Sequence, residues 1–172
     1  RVGNLMQVAE NVDADAAVAQ VRRALYAIGR GKETIAEGPE PLVPAVDRAV
    51  LGASINALEC LGATTDGKRI CVGRLASDSP LLREIGRLRE LTFREVGEGT
   101  GKRMDVDPYD AWYEHIVLWD AQAQKIAGAY RIARGASVLA EQGLKGLYTA
   151  SLFHYADDAL PRIAQGMELG RS

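Results

Sequence analysis

The chain lacks most of the features that assign a function at a glance. Its only cysteines are Cys60 and Cys71, without metal-ligand spacing around them or a secretory signal, so a reduced, cytoplasmic setting is the default. Charge of one sign is missing too: 21 Lys and Arg against 23 Asp and Glu leave a net charge of -2, which carries no message about nucleic acid. The longest uncharged stretch, Ala49 to Leu58, falls far short of the roughly 20 residues of a membrane-spanning helix. Peripheral membrane contact stays open. No internal repeat or low-complexity tract is present. The glycines at 97, 99 and 101 do not make a dinucleotide fingerprint, because no strand leads into them. They suit a loop that covers a substrate and, equally, an ordinary surface loop.

What is present is ordinary globular composition, nearly half apolar and about a quarter charged, in a length that holds one domain, alone or with a helical extension. Position 1 is arginine and Ser172 lies inside an expected strand, so both ends read as cuts through a longer polypeptide. Ala17, Val21, Leu25 and Ile28 give residues 13–29 helical spacing. Residues 31–41 have linker composition. A second helix is expected from Pro41 or Leu42 to Leu61, with Gly62 as its stop. After the Asp66-Gly67 turn signal, 69–76 reads as a strand and 77–96 as a helix with Pro80 in its first turn. Strands are expected at 113–119, 125–133 and 167–172, with short helical stretches after Gly135 and at 156–164. The order implies a mixed α/β or α+β plan with an antiparallel centre.

Charges placed in apolar segments stand out against this background, because buried charge is costly unless paired. On a helical wheel Arg89 shares an arc with Leu82, Ile85, Phe93 and Val96, while Arg83, Arg87 and Arg94 point away. Asp107-Pro108-Tyr109-Asp110 reads equally as a β-turn and as a site element. Arg131 alternates with Ala127, Ala129 and Ala133 on one strand face. Glu168 and Arg171, three apart, project from opposite faces of a regular strand, and Gly170 permits a bulge that would bring both to one site. His115 and Asp120 spell H-x-x-x-x-D, but on a strand such residues face opposite sides about 16 Å apart. That match is read as coincidence. His154 and Asp158 read as a helical surface pair.

Arg89-x-x-x-Phe93, Asp107-x-Tyr109-Asp110, Gly128-Ala129-Tyr130-Arg131 and Glu168-x-x-Arg171 resemble, in order and spacing, the motifs of acyl-homoserine-lactone autoinducer synthases. They are still more similar to ornithine-lipid N-acyltransferases and hemolysin-like acyltransferases, where phrases like His115-Ile116-Val117, Gly146-Leu147-Tyr148-Thr149 and Glu168-Leu169-Gly170-Arg171-Ser172 recur. The resemblance covers about residues 70–172. It implies the front half of a GNAT-like fold with a mixed, largely antiparallel sheet over residues 67–172, preceded by a helical extension or linker over 1–66. Among relatives that extension could be the tail of a glycerolipid acyltransferase domain.

The resemblance further implies fatty acyl transfer from an acyl carrier protein or coenzyme A thioester to an amine such as ornithine, with no tightly bound cofactor. Glu168 would take the acceptor's proton and Asp107 and Asp110 would hold the cation, while Arg89, Phe93, Arg131 and Arg171 would shape the substrate site, the three arginines setting the carboxylates by paired hydrogen bonds. Two departures matter. The synthases carry a tryptophan shortly after the phenylalanine where this chain has Gly97–Gly101, so S-adenosylmethionine is not the expected acceptor. A GNAT domain also completes its thioester cleft with the segment after this strand. Two other classes remain open: a non-catalytic acyl-carrier or lipid-binding module, and an interaction domain whose charges form a buried ion-pair network.

Overall fold

The computed structural model describes residues 13–29 and 39–171; residues 31–38 of the expected 31–41 linker and the end of the chain at Ser172 lie outside them. By internal contacts the chain forms two units, one with residues up to 43 and 87–105, the other with 44–86 and 106–172.

The second unit holds a five-stranded antiparallel sheet in the order β1 (Glu59–Ala63), β2 (Arg69–Arg74), β3 (Glu114–Asp120), β4 (Lys125–Arg134), β5 (Met167–Gly170). Period-two alternation makes β3 the central strand: His115, Val117 and Trp119 are buried on one face and their neighbours are only partly so. On that face Cys71, Val117 and Trp119 pack with Leu51 and Ile55 of α2 (Arg48–Asn56) and with Leu81, Leu82 and Ile85 of α3 (Pro80–Glu95). Each such side chain contributes about 1.5–3 kcal/mol by leaving water. A second cluster of Tyr113, Ala133, Val138 and Leu147 continues the core toward β5.

One expected helix is too long. Asp47 caps α2 by accepting from Ala49 N at 2.9 Å and Val50 N at 3.2 Å, so the helix starts there rather than at Pro41 or Leu42. It also stops at Asn56. Residues 59–63, expected within a helical extension reaching residue 66, are instead the edge strand β1, paired with β2 through a hairpin turn at Asp66-Gly67. Gly62 ends no helix but sits in a bulge of this strand at φ 146°.

Beyond β4 the chain turns into α4 (Gly135–Gln142), passes through short 3-10 turns at Leu144–Gly146, Tyr148–Ser151 and Asp157–Ala159, and enters α5 (Leu160–Gln165) before β5. A Cβ at Gly135 would stand 1.8 Å from the Ile163 carbonyl oxygen. Only glycine lets α4 start against α5, and the Gly135 amide then donates to Gly166 O at 2.9 Å. This junction delivers β5 alongside β4, with Glu168 opposite Ala133 and Gly170 opposite Arg131.

The first unit includes α1 (Ala14–Gly29), as its apolar spacing suggests, and α3 from residue 87 onward. Within it Glu90, fully buried, accepts from Arg94 Nε at 2.8 Å, from Thr100 N at 2.9 Å and Oγ1 at 2.7 Å, and from Gly101 N at 2.9 Å. Burial works to raise this carboxyl, but those donors hold it below its ordinary value. The glycine loop expected to cover substrate is thereby tethered to α3. Arg94, expected in solvent, folds onto Glu90, whereas Val96, expected on the buried arc, is 56% exposed.

Candidate active site

The Asp107–Asp110 segment is both a turn and a site element. Asp107 is the N-cap of a 3-10 turn at Pro108–Ala111; its Oδ1 accepts from Tyr109 N at 2.9 Å, and Asp110 Oδ2 accepts from Asp107 N at 2.9 Å. This reciprocal capping fixes both carboxylates. Their remaining oxygen positions face the sheet, where Arg131 is 2% exposed on β4.

Arg131 Nη1 donates to Asp107 Oδ1 at 2.5 Å and lies 3.2 Å from Asp110 Oδ1. Its guanidinium also stacks over the rings of Tyr113 at 5.1 Å and Tyr109 at 5.7 Å. Arg171 reaches the same turn, donating from Nη2 to Asp107 Oδ2 at 3.0 Å. Burial tends to raise the Asp107 carboxyl, yet the bonds from Arg131 and Arg171 hold it below its ordinary value. Burial likewise tends to lower Arg131, and the two aspartates reverse the direction.

His115 is fully buried opposite Arg131 in the ladder, with Nε2 3.1 Å from Asp110 Oδ1. Its aspartate therefore lies five residues back, not five ahead. Asp120 instead caps the β3–β4 turn, accepting from Gln122 N and Ala123 N.

Glu168 occupies a different environment. Its Oε1 accepts from the Tyr113 hydroxyl at 2.8 Å and from Tyr148 N at 3.1 Å. Oε2 accepts from Thr149 N at 3.1 Å and Thr149 Oγ1 at 2.5 Å. The Tyr113 oxygen accepts in turn from Tyr148 N at 2.8 Å, and the Tyr155 hydroxyl bonds to Thr149 Oγ1. Burial first, and the bond to Glu168 with it, push the Tyr113 hydroxyl well above its ordinary value, so it remains a proton-bearing donor. Tyr109, packed edge-on against Tyr113 and Tyr148 at 5.8 and 5.5 Å, lies between the ionic turn and this cluster. Trp112 Nε1 donates to Gly146 O at 2.9 Å, pinning the same loop.

Of the residues singled out in the sequence, Asp107, Asp110, Arg131, Glu168 and Arg171 thus meet on one side of the sheet. No bulge in β5 achieves this. Its four residues pair regularly with β4, and Arg171, just beyond the strand, turns back through a left-handed φ of 58°. Arg89, 5% exposed as its apolar arc requires, and the partly buried Phe93 lie on the stretch of α3 that belongs to the first unit. Sequence reasoning gave no role to Tyr113, Thr149 or Tyr155. The alternation of Tyr113 with His115 and Val117 was the available signal for the first and the Gly146-Leu147-Tyr148-Thr149 phrase for the second; nothing marked Tyr155.

A separate cavity of about 170 Å³ opens beside Trp112, with Arg74, Glu114 and Arg134 in its lining. It is smaller than the roughly 300–1,000 Å³ of small-molecule pockets and includes none of Asp107, Arg131 or Glu168.

The five-stranded antiparallel sheet with its helices is that of a GNAT-like α/β fold. Residues 88–172 match the model of the acetyltransferase (GNAT) domain family. The chain is 35% identical over 139 residues to a glycine N(alpha)-acyltransferase of Phocaeicola vulgatus, covering 77% of this chain and 43% of that protein. It is 42% identical over 97 residues to a glycine N(alpha)-acyltransferase of Bacteroides thetaiotaomicron, covering 54% of this chain and 29% of that protein. The chain therefore spans less than half the length of these curated relatives. No solved structure matches it significantly. Among the described residues no helix is long and apolar enough to cross a membrane.

Proposed function

We propose that this chain is part of an N-acyltransferase that moves an acyl group from a thioester to the α-amine of a small amino acid. The observation that carries this reading is Glu168, a carboxylate on β5 beside the ionic turn, within the region that matches the GNAT family. In the reaction the acceptor ammonium loses a proton to the carboxylate, and the neutral amine attacks the thioester carbonyl. The C–N bond forms, the C–S bond breaks, and the thiol leaves with a proton. The relatives' names support glycine as acceptor; ornithine, suggested by the resemblance, offers the same α-amine. The donor is an acyl thioester of coenzyme A or of acyl carrier protein, used in the cytoplasm or at the inner face of the membrane.

The two aspartates are read here differently from what the resemblance implies, while Arg131 and Arg171 keep the carboxylate-setting part it gives them. Asp107 faces both Arg131 and Arg171, and Asp110 faces Arg131, so both carboxylates already meet arginine. That pairing supports a turn-shaping role for this set over direct capture of a cationic acceptor. Arg89 and Phe93 remain proposed substrate contacts.

The test uses the full-length protein with long-chain acyl-CoA and acyl carrier protein thioesters, offered glycine, ornithine and other amino acids, with thiol release and product mass as readouts. Acyl transfer to an α-amine, lost in Glu168→Ala, is the expected result. Absence of thiol release with every amine, or an undiminished rate in Glu168→Ala, would overturn the reading.

A further inference from the structure

The surroundings of Glu168 raise a difficulty for a proton acceptor. A carboxylate offers about four lone-pair positions, and here four donors fill them: the Tyr113 hydroxyl, the amides of Tyr148 and Thr149, and the Thr149 hydroxyl. An ammonium has no vacant position to meet. The hydroxyl protons, however, have a defined order. An ionised carboxylate only accepts, so the single proton of Thr149 points to Glu168, and the bond between Thr149 Oγ1 and Tyr155 must carry the tyrosine's proton. By the same logic Tyr113 gives its proton to Glu168, and its oxygen is occupied by the Tyr148 amide. That branch is closed, since Tyr113 is 2% exposed. The branch through Thr149 ends at Tyr155, which is only partly buried and lies among exposed residues 151–154 and 156–158.

We propose that Glu168 receives the acceptor's proton through a hydroxyl relay, with Thr149 as the intermediate and Tyr155 as the group that meets the amine. This rests on the N-acyltransferase reading of the same site. The Tyr155 oxygen takes a proton from the ammonium as its own proton moves to Thr149 Oγ1, and the Thr149 proton moves to Glu168 Oε2. The net change is one proton from ammonium to carboxylate, with no electron transfer and both hydroxyls restored. Three hydrogen bonds shift together, and the backbone amides of Tyr148 and Thr149 keep the carboxylate in place throughout. Tyr113 is a positioning residue that holds Oε1.

The experiment compares wild type, Thr149→Val, Thr149→Ser and Tyr155→Phe in the full-length protein, with glycine as acceptor and a saturating acyl thioester. General acid–base contributions run to roughly 10²–10⁴-fold. Thr149→Val and Tyr155→Phe are therefore expected to lower kcat on the order of 100-fold with little change in the KM for thioester. Thr149→Ser, which keeps a hydroxyl, restores most of that loss. In wild type a proton inventory in mixed H₂O and D₂O bows downward, reporting more than one proton in flight, and it becomes linear in Tyr155→Phe. Amide exchange at Tyr148 and Thr149 separates relay from folding: protection unchanged in Tyr155→Phe alongside the rate loss supports the relay. An active wild type with Thr149→Val and Tyr155→Phe turning over at its rate overturns the relay and leaves the acyltransferase reading standing. A wild type inactive toward every amine overturns both.

Discussion

The ionic turn and the Glu168 cluster sit on the same side of one sheet and solve the problem of buried charge in opposite ways. Around Asp107 and Asp110 charge is met by opposite charge: arginines meet carboxylates, and each group is fixed by several partners. Around Glu168 no cation among the described residues is in hydrogen-bond contact; neutral hydroxyls and amides surround a single negative charge. A paired ion network resists any change in protonation, because losing one charge leaves another buried without compensation. A carboxylate held by neutral donors can take up a proton and give it back. The first arrangement makes a scaffold, the second a group able to do chemistry.

Removing Arg131 breaks that contrast most severely. Arg131→Met leaves two carboxylates facing each other, at a cost of about 3–5 kcal/mol, readable as a lower urea midpoint. The same change alters the acid response. The Asp107 carboxyl is held below its ordinary value of 3.8 by Arg131 and Arg171, so the folded state binds its proton less readily than the unfolded one. The resulting stability is complete above the ordinary value and is lost as pH falls through the depressed one. In Arg131→Met this share of the acid-side loss should shrink, as measured by unfolding midpoints across that range.

Glu168→Gln sharpens the contrast from the other side. In the full-length protein it is expected to lower kcat by roughly 100-fold or more, yet to cost only about 1–2 kcal/mol of stability, since one oxygen still accepts. Equal damage to both would place Glu168 with the scaffold. Tyr113→Phe leaves the Tyr148 amide with Glu168 as acceptor and should cost about 1 kcal/mol, seen in the same denaturation assay. At the small end, Arg134→Ala removes an exposed bond to Glu114 and is expected to leave the midpoint unchanged.

Period and turn chemistry made most elements legible. The helices at 14–29 and 80–95 and the strands at 69–74, 114–120 and 125–134 fall close to where apolar spacing and Gly or Pro signals put them. β1 was hidden because its five residues are all exposed, so no alternation betrayed it and the apolar run of α2 was read straight through. The charged half of the site was visible for an energetic reason: arginine among alanines on a strand demands a partner. Its carboxylate half was only half visible. Glu168 drew notice, but its ligands come from a loop whose two amides have no side-chain signature, and a hydroxyl on Thr149 or Tyr155 costs too little in solvent to stand out.

Gly135 carries no functional group, yet everything at Glu168 depends on it. The missing side chain is a mechanical stop set at zero clearance: α5 rests against it, and two residues after the bond it makes to Gly166, β5 presents its carboxylate. A single methyl there would push the strand from behind and shift the Glu168 carboxylate without touching any of the groups that bond to it. The tolerance of this site is therefore set at the back of the sheet's last connection, in a contact that any search for reactive side chains would pass over.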